Sequence, residues 1–67
     1  MRVEAIFVRD EEPVDKIRYN NVENINELIE ELKKEYENTD FDYIDIFVEK
    51  QLPCGERYFE YYYSIVL

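Results

Sequence analysis

The sequence predicts an α+β domain in which one helix packs on one face of a four-stranded sheet. One segment has apolar residues at helical spacing, and the segments on both sides of it mix or alternate apolar and polar residues as strands do. The single glycine and the two prolines lie between these segments, where turns are needed. With 67 residues, we expect a single domain over 1–67.

The N-terminal part of the chain predicts two strands joined by a turn. Residues 2–9 are rich in strand-forming side chains, and DEEP at 10–13 is a turn signal because Pro13 has no N–H for a ladder hydrogen bond. The second predicted strand, 14–19, carries several charges. Charge suits the edge of a sheet, where it discourages pairing with other chains.

The central segment predicts a helix over 24–37. Asn24 is expected to cap its N-terminus, in a box-like pattern with Glu27. One side of this helix is an apolar stripe formed by Ile25, Leu28, Ile29, Leu32 and Tyr36. The opposite side is acidic and carries Glu23, Glu27, Glu30, Glu31 and Glu37.

The C-terminal part predicts a long hairpin with strands at 42–50 and 57–66. Its turn is expected at 53–56, where Gly55 supplies the positive φ angle that such loops need. A turn centred on Cys54 and Gly55 pairs residues whose numbers sum to 109. In that register apolar residues face each other along the ladder, and Glu49 lies opposite Glu60.

The polarity of the strands predicts their order. The first and last strands are the most apolar, so they are expected in the middle, in the order 2-1-4-3, with the central pair parallel. This is a β-grasp arrangement, and an all-antiparallel 2-1-3-4 sheet is the alternative. The centre of the core is predicted to contain Leu28, Leu32, Ile46, Phe59 and Tyr61.

The face of the sheet opposite the helix is the predicted partner-binding surface. One helix covers about one face of such a sheet, so aromatic residues on the other face stay exposed, and exposed apolar area often marks an interaction site. Tyrosine offers rigid contact area, and carboxylates accept bonds from arginine. The predicted site consists of Tyr43, Asp45, Phe47, Glu49, Tyr58, Glu60 and Tyr62. A secondary acidic surface consists of Glu27, Glu30 and Glu31.

The net charge of −9 limits the classes of partner. Nucleic acid and anionic membranes would be repelled, so we expect neither as a direct ligand. A basic protein partner is favoured, such as a nucleic-acid-binding protein. The composition is typical of an AT-rich genome, and a small acidic inhibitor or DNA mimic from a phage or mobile element fits it. The alternative is a homodimeric structural or adaptor domain that buries two copies of the open sheet face.

No catalytic pattern is present in the sequence. The chain has no histidine, one cysteine and no glycine-rich loop, so we expect no enzyme activity, no cofactor and no metal. Because Cys54 has no cysteine to pair with and no apolar run approaches the length of a membrane span, we expect a cytoplasmic protein.

Overall fold

The computed structural model describes all residues from Met1 to Leu67 and has the element order ββαββ. The strands are β1 (Val3–Arg9), β2 (Glu12–Tyr19), β3 (Tyr43–Gln51) and β4 (Arg57–Val66), and helix α1 spans Ile25–Tyr36. The predicted class, one helix with a four-stranded sheet, is confirmed. Helix α1 lacks the length and apolar character of a membrane span.

The strands lie in the order β2-β1-β3-β4, and every neighbouring pair is antiparallel. The predicted order 2-1-4-3 is therefore wrong, and the parallel central pair on which the β-grasp prediction depended is absent. The alternative order, 2-1-3-4, is confirmed. The error came from counting tyrosines as apolar, although a tyrosine-rich strand can occupy an edge, where its hydroxyl groups reach water.

The turn between β1 and β2 occupies two residues rather than the predicted four. Asp10 and Glu11 both have positive φ angles, 53° and 65°, as a type I′ hairpin turn requires. Pro13 lies inside β2 instead of in the turn. It is tolerated there because β2 is an edge strand, and the ladder shifts register beside it, between Phe7 and Val8.

Helix α1 begins and packs as predicted. The side chain of Asn24 accepts hydrogen bonds from the N–H groups of Asn26 and Glu27, at 3.0 and 3.3 Å. Within the apolar stripe Leu32 is fully buried, and its other four residues are half-buried against the core. The core cluster consists of Val3, Ala5, Phe7, Leu32, Ile44, Ile46 and Ile65.

The hairpin of β3 and β4 has two registers, separated by a bulge. At its open end Ile44 faces Ile65 and Ile46 faces Tyr63, as predicted. The turn, however, is centred on Cys54 alone, because the N–H of Leu52 donates to the carbonyl of Glu56 at 2.7 Å, and the numbers of paired residues beside it sum to 108. The two registers meet at a bulge formed by Tyr62. Tyr62 has no partner on β3, because Ile46 faces Tyr63 and Phe47 faces Tyr61.

This bulge overturns part of the predicted core. A shift of one residue moves the side chains of a strand to the other face, so Phe59 and Tyr61 lie on the face opposite α1. Tyr61 is 57% exposed. Leu32 and Ile46 are confirmed in the core, and Leu28 packs at its margin.

Two tyrosines beside the core have raised pKa values. Burial is the main cause for both, and the negative charge of Glu35 raises the pKa of Tyr19 and of Tyr36 further. Tyr36 also packs edge-on against Phe7, with ring centroids 4.7 Å apart. The folded state therefore holds these two phenol protons more tightly than the unfolded state does.

We expect the free energy of unfolding to fall as the pH rises above the ordinary tyrosine pKa of 10.0. Above that pH the unfolded chain releases protons that the folded chain retains, which favours unfolding. Tyr36→Phe should make this fall shallower, because it removes one of the two phenol protons. The control is Tyr58→Phe at an exposed position, which should leave the slope unchanged. Urea unfolding between neutral and strongly alkaline pH measures the slopes. Equal slopes for the two variants would contradict this assignment.

Candidate functional site

The open face, defined as the side of the sheet opposite α1, contains part of the predicted partner-binding set. Tyr43, Asp45, Phe47 and Glu49 alternate along β3 with the buried residues of the core and lie on this face. All four are half-buried rather than fully exposed. The prediction of their placement is confirmed, while a role in binding stays a prediction.

The other three predicted residues lie on the side of the sheet that carries α1. Glu60 pairs with Val48 of the core face, and Tyr58 pairs with Lys50 on the same side. Tyr62, in the bulge, lines a groove together with residues of α1. Their predicted placement on the open face is wrong because the bulge reverses the faces of β4 between Tyr62 and the turn.

An ion pair stabilises the centre of the open face. Glu4, which is only 8% exposed, accepts a hydrogen bond from the Arg18 guanidinium at 2.7 Å. The same guanidinium lies 4.9 Å from the centroid of the Phe59 ring, in cation–π geometry. Arg18 thus joins β2 to β1 and reaches a ring on β4.

A second carboxylate on this face binds two arginines. Glu49 accepts from Arg2 at 2.7 Å and from Arg57 at 3.1 Å, and its side chain is 11% exposed. The predicted pairing of Glu49 with Glu60 is wrong, because Phe59 is the residue opposite Glu49. No external cation is needed to neutralise this position.

The last carboxylate of the predicted set is also hydrogen-bonded. Asp45 accepts from the Ser64 hydroxyl at 2.6 Å, and the Tyr61 hydroxyl lies 2.7 Å from the same Ser64 oxygen. The Tyr61 ring meets Phe47 edge-on, with centroids 5.8 Å apart. These contacts join β3 to β4 on the open face.

The distribution of charge differs from the one that the sequence predicts. All four arginines are ion-paired, three of them on the open face, and they contact only three of the seventeen carboxylates. The arginines Arg2, Arg18 and Arg57 were not predicted as part of this face. Their signal in the sequence was weak, because each reaches its carboxylate across strands whose pairing depends on the tertiary structure.

A group of carboxylates without ion-pair partners lies just before α1 and on its N-terminal half. We call this surface the acidic patch, and it consists of Glu23, Glu27, Glu30 and Glu31. All four residues are exposed, and none lies within ion-pair distance of a cation. An open depression of about 440 Å³ is lined by Asn24, Asn26, Glu27, Glu30 and Glu31. The secondary surface of the sequence prediction is thus brought together here.

A groove runs beside the acidic patch, between α1 and β4. It has a volume of about 460 Å³ and is lined by Asn26, Ile29, Glu30, Tyr62 and Tyr63. Tyr63 is 51% exposed, and Tyr62 is 48% exposed. The groove combines one carboxylate with two exposed aromatic rings, which is the chemistry that binds a guanidinium group.

Comparison with protein-family models, with curated proteins and with solved structures found no significant match. No three side chains of the metal-binding types lie close enough together to share a metal ion.

Proposed function

We propose that this chain is a small acidic protein-binding module that occupies a basic surface of another protein, with the acidic patch of α1 as its main contact. The observation that carries the proposal is the separation of charge. The arginines neutralise the open face, while no cation lies within ion-pair distance of the acidic patch. A basic partner supplies the missing charge.

The arrangement of the carboxylates within the patch supports this proposal. Glu27 and Glu31 are one turn apart on the helix, so their charges repel each other. Glu27 lies in the first turn, where the helix dipole favours a negative charge, but Glu31 is beyond that range. The repulsion that remains costs stability in the free protein and is relieved by a bound cation.

The nature of the partner follows from the spacing of the charges. Carboxylates three or four residues apart on a helix are about 5–6 Å from each other, close to the spacing of phosphates along a nucleic-acid strand. A protein that binds nucleic acid through a basic surface fits this pattern. The chain would then act as an inhibitor that mimics DNA, as a phage or mobile element would use.

The proposal predicts that reversing the charge of the patch abolishes partner binding. The triple variant Glu27→Lys, Glu30→Lys, Glu31→Lys should bind at least about a hundredfold more weakly than the natural sequence, because attractive contacts become repulsive. The partner is the protein that the natural sequence captures from source cells at low salt. Titration with the purified partner measures the affinity.

The matched control reverses three exposed carboxylates outside the patch, with Glu12→Lys, Glu37→Lys and Glu56→Lys. This variant has the same net charge, so it should keep its affinity within about threefold if the contact is local. Equal losses of affinity in the two triple variants would mean that binding depends on net charge and not on the acidic patch. An unchanged affinity in the patch variant would remove α1 from the interface.

The homodimer remains a second candidate because of the ion pairs on the open face. Two copies of this face would bring together carboxylates that arginines already neutralise, so the expected repulsion between copies is weaker than the sequence suggests. Sedimentation of the purified chain separates the two candidates. A dimer that gains strength with salt favours this alternative, and a monomer favours the binding module.

A further inference from the structure

The two edges of the sheet differ in their protection against pairing. The β2 edge carries Pro13, a register shift and the charged residues Asp15, Lys16 and Arg18. These are the features by which natural sheets prevent strand addition. The β4 edge is ten residues long, and its charged residues are Arg57 and Glu60. A single bulge, at Tyr62, interrupts it.

The exposed aromatic residues of the chain are concentrated on this less protected edge. Four tyrosines of β4 expose between 43 and 57% of their surface, and they are Tyr58, Tyr61, Tyr62 and Tyr63. Because β4 has one neighbour only, every second backbone N–H and C=O group along it faces solvent. The edge thus offers both a backbone ladder and side-chain contact area.

The bulge places two of these tyrosines next to the acidic patch. Tyr62 and Tyr63 line the same groove, although neighbouring side chains in a regular strand point to opposite faces. Glu30 forms the other wall of this groove and belongs to the depression between the patch carboxylates as well. A side chain that enters beside the β4 edge therefore meets two rings and a carboxylate.

We propose that the β4 edge binds an extended, arginine-containing segment of the basic partner by strand addition. Alternate side chains of the added strand point to the side of α1, where an arginine enters the groove between Glu30 and the two tyrosines. The strand is an arginine-rich segment rather than a second copy of β4, because that strand contributes one arginine and each copy carries a net charge of −9. This inference rests on the proposed function and specifies how the partner binds.

A synthetic peptide of alternating arginine and threonine, with blocked ends, is the probe. Its alternation puts all the arginines on one side when it is extended, and threonine favours a strand. The control peptide has the same sequence with every backbone amide N-methylated, so it keeps its charge and has no backbone N–H group to donate to a neighbouring strand. Binding is followed by amide chemical shifts and by hydrogen exchange of the full chain.

Strand addition predicts that alternate amides of β4 gain protection from hydrogen exchange when the first peptide binds. The N-methylated peptide should give no such protection. Glu30→Gln should weaken binding of the first peptide about fivefold to tenfold, since it removes the charge partner of the arginine. The control is Glu37→Gln, which removes the same charge from an exposed residue outside the groove. It should change the affinity for the first peptide less than about twofold.

Three outcomes would overturn the proposal. Equal binding of the two peptides, with chemical-shift changes confined to α1, would mean that the peptides contact the acidic patch and add no strand to β4. Protection of β4 without any peptide, increasing with protein concentration, would show that a second copy occupies the edge. Absence of binding by the first peptide, while the captured partner still binds through the acidic patch, would reject strand addition and leave the proposed function intact.

Discussion

Leu32→Ala is expected to lower the free energy of unfolding by about 2–5 kcal/mol. Leu32 is 2% exposed and is the one residue of α1 inside the core cluster, where it packs with residues of β1, β3 and β4. Its truncation leaves a cavity between the helix and the sheet, and the surrounding side chains relax only in part. Because a domain of this size has little stability to spare, much of the population would unfold.

Urea unfolding followed by circular dichroism measures this loss, and Leu52→Ala is the matched control. Leu52 lies beside the hairpin loop and is 42% exposed, so the same change of side chain should cost less than about 0.5 kcal/mol. A loss below about 1 kcal/mol for Leu32→Ala would mean that the stripe of α1 does not face the sheet.

Arg18→Met is expected to have the second-largest effect, a loss of about 1–3 kcal/mol. Methionine keeps an apolar stem of similar length but removes the guanidinium that binds Glu4, which is 8% exposed. The carboxylate then stays nearly buried without its cation, and Phe59 loses its cation–π contact. Since the Arg18 side chain is 43% exposed, solvent screens part of the effect, and the loss stays below that of a fully buried pair.

Arg9→Met provides the control for this prediction. Arg9 forms an ion pair of the same length with Asp40, 2.7 Å, but the Asp40 side chain is 74% exposed. Its removal should cost less than about 1 kcal/mol, as for other surface pairs. If the two variants lose the same stability, burial of Glu4 is not the cause. Adding Glu4→Leu to Arg18→Met should then recover stability only if the unpaired carboxylate was responsible.

Local sequence patterns were sufficient to predict most of the secondary structure. The stripe that includes Leu28 and Leu32 placed α1, and Asn24 placed its first turn, because both signals act within a few residues of chain. The strands were placed within about two residues for similar reasons. The exception was Pro13, which was predicted in a turn because it is a proline. It lies in β2 instead, since an edge strand tolerates proline.

The candidate site was predicted less well than the fold. The acidic patch was visible in the sequence, because its carboxylates recur at helical spacing on one exposed side. The groove was not, because it needs Tyr62 and Tyr63 on the same side of β4, and the alternation of a regular strand places them on opposite sides. The ion pairs of Glu4 and Glu49 join residues of different strands, so no pattern along the chain reveals them.

The sequence by itself determined which segments form the helix and the strands and where the excess negative charge lies. These properties depend on side chains a few residues apart. Only the tertiary structure decided that β4 is an edge and that Tyr62 and Tyr63 face the groove. The reason is the bulge at Tyr62, which compensates for the one-residue change of pairing at the hairpin loop and keeps Ile65 in the core. Such an offset changes the face of half a strand while leaving its hydrophobic pattern unchanged.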